Sequence, residues 1–268
     1  MANGMKKYLT LIEVTWQRAL TYRFTVFAYR IGEMLEVIIL VFMWSAIYES
    51  QPVIKGYTLS EMISYVLIGN LIDVAIRNWM PNVIASDIKN GTLSAFLTKP
   101  INYMYYMFFK EAGRNSFAFI FSFITQIMII LFFLDKVIIN FNLQITAVLL
   151  VMVLFAFIIE WQISYLVGLI AFWTDEVDGI YATVTQVRKF FAGGYFPLSL
   201  LPPLFVSMSF ALPFAYSFFV PTQLYLGKIG IETGIKGLFV QIIWIILLNF
   251  IIKLAWQRGL KRYEGVGI

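Results

Sequence analysis

Apolar positions in this chain gather into runs of membrane length, separated by short polar stretches. Asn115 to Leu134 passes 20 positions without a charge, between Arg114 and Asp135. A helix of that length spans about 30 Å, the thickness of a bilayer's hydrocarbon core. Leu143 to Trp173 carries one charge, Glu160, and Gly237 to Trp256 one, Lys253. Arg30 to Tyr48 and Glu61 to Met80 are also long enough but hold Glu33, Glu36, Asp73 and Arg77, so each reads as a span with one side on protein or water. Between Lys189 and Lys228 lie 38 uncharged residues interrupted by Pro197, Pro202, Pro203, Pro213 and Pro221. Proline removes a backbone donor and clashes with the preceding turn, so this stretch is not one helix. Irregular backbone at membrane depth survives only against protein or a wet cavity. The pattern therefore predicts a fifth span at 177–195 and a re-entrant hairpin at 196–225.

The fold expected is an all-α integral membrane protein, one domain over 1–268. Six transmembrane helices fall at about 30–48, 61–80, 115–134, 143–173, 177–195 and 237–256, with a polar linker at 81–114. Ahead of them, Leu9, Ile12, Trp16, Leu20, Phe24 and Phe27 recur at helical spacing, opposite Lys6, Thr10, Glu13, Gln17 and Thr21. That amphipathic pattern predicts an interfacial helix at 5–28, with a continuous extension of the first span as the alternative. Glu13, Arg18 and Arg23 interrupt any signal-peptide core, so the segment is expected to stay on the protein.

Composition agrees with the pattern: 60% hydrophobic and 13% charged, against about 25% charged in soluble domains. Lysine and arginine mark the cytoplasmic loops. With both termini inside, 14 of the 20 cations fall on that side and four outside, namely Lys55, Lys136, Lys228 and Lys236. The net charge of +5 follows from this topology, which gives nucleic acid no part to play. The absence of cysteine and histidine removes disulfides, thiolate nucleophiles, imidazole bases and His- or Cys-ligated metal. No metal site is expected. No Gly-x-x-x-x-Gly-Lys-Ser/Thr loop occurs, so the chain does not itself cradle a nucleotide.

Charges inside the spans need partners. Arg188 and Lys189 lie 11 residues into the fifth span, about 17 Å deep. Glu160, midway along the preceding span, is one partner, and an anionic headgroup in a wet pathway is the other. Asp73 and Arg77, four apart, are expected to satisfy each other on one helix face, and Glu33 and Glu36 to stay near Arg30 at the headgroup level.

Asp175-x-x-Asp178-Gly179-x-x-Ala182 resembles the opening of the CDP-alcohol phosphotransferase signature, but Thr183 stands where that family has arginine and the second aspartate pair is missing. Half a site does not hold the metals, and the acids read as caps of the following helix.

After the second span stand Gly91-Thr92-Leu93, Leu97-Thr98-Lys99-Pro100-Ile101 and the basic Arg114. Further on stand Phe190-Phe191-Ala192-Gly193-Gly194-Tyr195-Phe196-Pro197-Leu198, Leu201-Pro202 and Leu212-Pro213-Phe214. In these parts and their order the chain resembles the permease subunits of ABC exporters of the ABC-2 family. The resemblance implies a multi-pass plasma-membrane permease with cytoplasmic termini, working without its own ATPase. Two copies of a cytoplasmic ATPase subunit, binding ATP and Mg, would drive it; the permease binds no cofactor. A second permease, the same chain or a similar one, would complete a pathway for a lipid, glycolipid, drug or peptide. The N-terminal helix and the linker would dock the ATPase, with Gly91, Thr92, Leu93, Lys99 and Pro100 as the coupling element. Asp73, Arg77, Glu160, Arg188 and Lys189 are the pathway or intramembrane charge candidates, and Gly193, Gly194, Pro197, Pro202 and Pro213 shape the re-entrant hairpin. Ile88-Lys89-Asn90 stands where the family often places acids. The alternatives are an ATP-independent secondary transporter or channel and, third, a phosphotransferase-like enzyme.

Overall fold

The structure is a computed structural model that describes residues 2–139 and 142–263; the side chains of 2–5, 23 and 25–27 fall outside the description. Arg23 and Phe27, and the domain's ends at 1 and 264–268, therefore lie outside the described residues. The chain runs α1 (Ala2–Thr21), α2 (Arg23–Tyr48), a two-stranded ribbon β1 (Val53–Ile54) and β2 (Tyr57–Thr58), α3 (Leu59–Ile76), α4 (Met80–Lys89), α5 (Thr92–Leu97) and α6 (Tyr103–Phe132). It continues with α7 (Leu143–Leu169, extended by a 3-10 turn to Phe172), α8 (Asp178–Ala192), α9 (Pro203–Ala211), α10 (Phe214–Ser217), α11 (Phe219–Tyr225) and α12 (Ile231–Arg262). It is an all-α integral membrane protein.

Polar N-cap side chains start α3, α6 and α7. Thr58 and Glu61 form a capping box at α3. Asn102 accepts from Tyr105 N at 3.1 Å to start α6, and Asn142 accepts from Gln144 N at 3.0 Å to start α7. The bundle has two ends. At the linker end lie α5, the start of α1, the turn at 173–177 and the end of α12. At the hairpin end lie the β-ribbon and the turns around 134–138, 198–201 and 226–230. Here Lys228 donates to Gly56 O at 2.7 Å and pairs with Glu61 at 2.8 Å, while Tyr57 OH donates to Gln223 Oε1 at 3.0 Å.

The core lies along α3, α4, α6 and α7, where Met62, Leu67, Ile84, Met107, Ile159 and Leu169 are fully buried. Leu150, Leu154, Phe239, Ile243 and Phe250 stay exposed on α7 and α12, as hydrocarbon-facing surfaces require. Polar cross-links join those two helices: Gln162 donates to Ile245 O at 3.0 Å and Gln241 to Met152 O at 3.0 Å.

Four expectations change. Among the described residues five helices are long and apolar enough to cross a membrane, namely 28–48, 59–89, 103–132, 143–172 and 231–262. The expected fifth span at 177–195 is α8, whose 15 residues reach only about 22 Å. A sixth crossing exists only if α9 joins α10–α11 across a 78° bend. α8 stops because Gly193 is left-handed, at φ 81, with Gly194 N bonded to Lys189 O and Gly193 N to Phe190 O, a Schellman end.

Secondly, the helix expected at 5–28 ends at Thr21 and has a protein partner. Tyr8 stacks on Phe109 with centroids 5.5 Å apart, and Trp16 meets Phe117 at 5.6 Å while donating to Ser116 Oγ at 3.0 Å. The constant offset makes α1 parallel to the first half of α6. Gly113 allows it, since a Cβ there would sit 2.9 Å from Ile12 Cα. Of the amphipathic face, Ile12 and Trp16 turn to α6, while Leu9, Leu20 and Phe24 remain exposed.

Thirdly, the second span does not stop at 80. It breaks at 77–79 and resumes as α4, with Pro81 in its first turn and Met80, Ile84 and Ile88 in the core, so the start of the expected linker is packed helix. Lastly, α6 begins at Tyr103, twelve residues ahead of the third span expected at 115.

Candidate functional site

Charges from four helices, α2, α3, α7 and α8, converge in the bundle. Asp73 lies one turn from the end of α3, and Arg77 caps that helix in an extended conformation. Arg77 Nε and Nη2 reach Asp73 Oδ2 at 3.1 and 2.5 Å, and its Nη1 reaches Glu33 Oε1 on α2 at 3.0 Å. The other oxygen of Glu33 accepts from Arg30 and from Ser122 of α6. From α8, Arg188 donates to Asp73 Oδ1 at 2.9 Å and lies 3.6 Å from Glu160 Oε2 on α7. Lys189 pairs with Glu36 at 3.6 Å and lies over the Tyr195 ring.

The sequence reading paired Arg188 with Glu160. That ion pair is present, but the hydrogen bond goes to Asp73. Nor do Asp73 and Arg77 form a closed pair: they link α2 to α8. Glu33 reaches inward to Arg77 rather than serving Arg30 alone. Four cations thus meet four carboxylates, a balance that suits a region where unpaired charge is costly.

Beside this network a cavity of about 290 Å³ is lined by Arg77, Asn78, Glu160, Tyr181, Arg188 and Lys189, among others. Asn78 Oδ1 and Glu160 Oε1 are buried there without a hydrogen-bond partner. The break at 77–79 frees backbone groups that side chains satisfy. Glu111 accepts from Trp79 N at 3.0 Å, Asn115 donates to Arg77 O at 2.5 Å, and Tyr181 donates to Asn78 O. None of these was predicted from sequence, although Pro81 and the lone acid Glu111 in an aromatic stretch were the visible signals.

At the linker end, Gly91 starts α5 at φ 75. Its reason is this left-handed turn. Leu93 is fully buried, while Thr92, Leu97, Lys99 and Pro100 are exposed. The knob is braced by its neighbours. Asp87 accepts from Thr92 at 2.9 Å and from Tyr103 at 2.8 Å, Ser94 shares a hydrogen bond with Tyr263 at 3.0 Å, Lys7 of α1 donates to Pro100 O at 2.7 Å, and Lys89 donates to Asp175 O. Asp87, Tyr103 and Tyr263 were not foreseen.

In the re-entrant segment Tyr65 OH donates to Gly193 O at 2.6 Å. A Cβ on Gly193 would lie 2.9 Å from the Tyr65 hydroxyl. Pro197 precedes a 3-10 turn, and Pro202 and Pro213 flank the starts of α9 and α10. At α8 the cap bond comes from Glu176, whose Oε1 accepts from Gly179 N at 2.8 Å, rather than from Asp175 or Asp178. Among the described residues no three acidic side chains cluster as a metal site would need.

These features define a multi-pass helical membrane protein with a balanced interior charge network and a braced polar knob at one end. A family model described as ABC-2 family transporter protein matches residues 34–267, and the chain belongs to that family. It is therefore a permease, the membrane component of an ABC-type transporter, and is not itself the ATPase. No curated protein and no solved structure matches the chain.

Proposed function

We propose that this chain is the permease of an ATP-driven exporter, worked by two copies of a separate cytoplasmic ATPase subunit that bind ATP and Mg and grip the α4–α5 knob. The observation that carries the reading is the knob's construction: an exposed Thr92-to-Pro100 surface anchored by the fully buried Leu93. A push on that surface passes through Asp87 and Tyr103 to α6, through Tyr263 to α12, and through Pro100 to α1. The cations Lys6, Lys7, Lys89, Lys99, Lys261 and Arg262 support a cytoplasmic orientation for the linker end, with both termini on the cytoplasmic side of a plasma-membrane protein.

A second permease, identical or similar, completes the pathway. α8 supports this, because its outer face exposes Gly179, Ala182, Thr183 and Gln186, a poor surface for hydrocarbon. Cargo is an amphiphile such as a lipid, glycolipid, drug or peptide. It would pass near Asp73, Arg77, Glu160, Arg188 and Lys189, with the Pro197–Pro213 segment as the outer closure. Pull-down of the full chain in mild detergent is expected to retain a nucleotide-hydrolysing subunit. Its ATPase stimulation should be lost when Leu97, Lys99 and Pro100 are replaced together. Cargo movement by the purified chain alone, on an ion gradient, would overturn the reading.

A further inference from the structure

A groove of about 1160 Å³ opens at the linker end between α1, α5, α6, α7 and α12. Aromatic rings build its walls, chiefly Phe96, Tyr103, Phe108, Trp161, Tyr165 and Trp256. Tyr103 stacks on Trp256 with centroids 5.7 Å apart, and Phe108 meets Trp161 edge-on at 5.1 Å. The groove runs inward from Asn102 to Phe109 along α6, about 10 Å, and its α7 wall belongs to the apolar run 143–172. An occupant therefore needs an apolar part that enters the span.

Two features give it a polar part as well. Trp161 Nε1 and Gln162 Oε1 belong to residues of the wall, are buried, and have no hydrogen-bond partner. Around the rim stand three lysines. Lys253 lines the groove, and two lysines lie beside its lining rings: Lys7, 5.3 Å from the centroid of the Tyr8 ring and also donating to Pro100 O, and Lys99, 5.6 Å from that of Phe96. Among the described residues, every ion pair is made by other cations, so no carboxylate neutralises these three. Uncompensated lysines above an aromatic cleft within a membrane protein complement an anionic lipid headgroup with its chain below.

We propose that the groove holds an anionic phospholipid of the bilayer, its phosphate among Lys7, Lys99 and Lys253 and one acyl chain among the rings. The chain then packs on Phe96, and the lipid becomes part of the wall that supports α5. This goes beyond the exporter reading and does not rest on it, because binding is measured without nucleotide or partner.

The test uses tryptophan fluorescence of the full chain in phosphatidylcholine vesicles that contain a minor fraction of chain-brominated lipid, headed either by phosphatidylglycerol or by phosphatidylcholine. Brominated phosphatidylglycerol is expected to quench in excess. That excess should fall on the order of tenfold in K7Q/K99Q/K253Q and persist in K7R/K99R/K253R, which keeps charge and fold. It should also vanish in W161F/W256F, whose other five tryptophans still report bulk lipid. Equal quenching by both headgroups overturns the proposal. So does an excess that survives the glutamine triple, which places the lipid elsewhere, or a groove shielded from both lipids, which assigns it to a protein partner.

Discussion

In the interior network Arg30, Arg77, Arg188 and Lys189 meet Glu33, Glu36, Asp73 and Glu160, whereas at the linker end Lys7, Lys99 and Lys253 meet no carboxylate among the described residues. The difference is one of solvent. Around the buried Asp73, Glu160 and Arg188 no bulk water is at hand to solvate an ion, so each charge persists only where an opposite charge and hydrogen bonds replace its hydration, while the Lys189–Glu36 pair lies at the network's exposed edge. At the linker end water and headgroups do that work, and the charge of these three lysines is taken up by no carboxylate, although Lys7 also donates to Pro100 O. Interior charge here ties helices together, while the charge of these three lysines is left for recognition.

The largest effect that could break this comparison is at Arg188. Arg188→Ala is expected to cost about 3–5 kcal/mol, read as a lower Tm in detergent. Asp73 keeps Arg77 after that change, but Glu160 keeps nothing, so adding Glu160→Ala should restore more stability than adding Asp73→Ala. Equal values for the three variants would show that the network does not hold the bundle. Next comes Leu93→Ala, expected to cost about 2–4 kcal/mol by the cavity it leaves and to loosen α5 enough to speed proteolysis between 90 and 102.

Smaller is Gly91→Ala, which forces a side chain into a left-handed turn at about 1–2 kcal/mol. Its thermal shift should be modest, with a clear drop in the partner's ATPase stimulation. Smallest is Lys99→Gln, an exposed change expected to move stability by less than about 0.5 kcal/mol. If it nevertheless lowers the Tm as much as Leu93→Ala, the terminal lysines are structural and the contrast fails.

Much of this was legible in the sequence because a bilayer sets simple conditions. Runs such as 115–134 and 143–173 must be helices, since backbone groups in hydrocarbon have no other partner. Gly91-Thr92-Leu93 and Lys99-Pro100 stood out in the sequence on either side of what is α5, because glycine and proline act locally. What escaped the reading depended on distant neighbours. The break at 77–79 needs Glu111, Asn115 and Tyr181, which are up to about a hundred residues away. α1 is amphipathic in sequence, yet only Gly113 on α6 reveals that its Tyr8, Ile12 and Trp16 face a helix.

By itself the sequence determined the solvent of this protein, the positions of its long apolar helices, the proline-broken segment and the asymmetry of its cations, because hydropathy, proline geometry and charge act over a few residues at a time. Only the tertiary structure decided that α8 falls short of a full crossing, that Arg188 hydrogen-bonds Asp73 on a distant helix rather than its expected neighbour Glu160, and that aromatic rings from five helices line a groove. Those outcomes depend on which helix faces meet, and helical periodicity fixes a face without naming what packs against it.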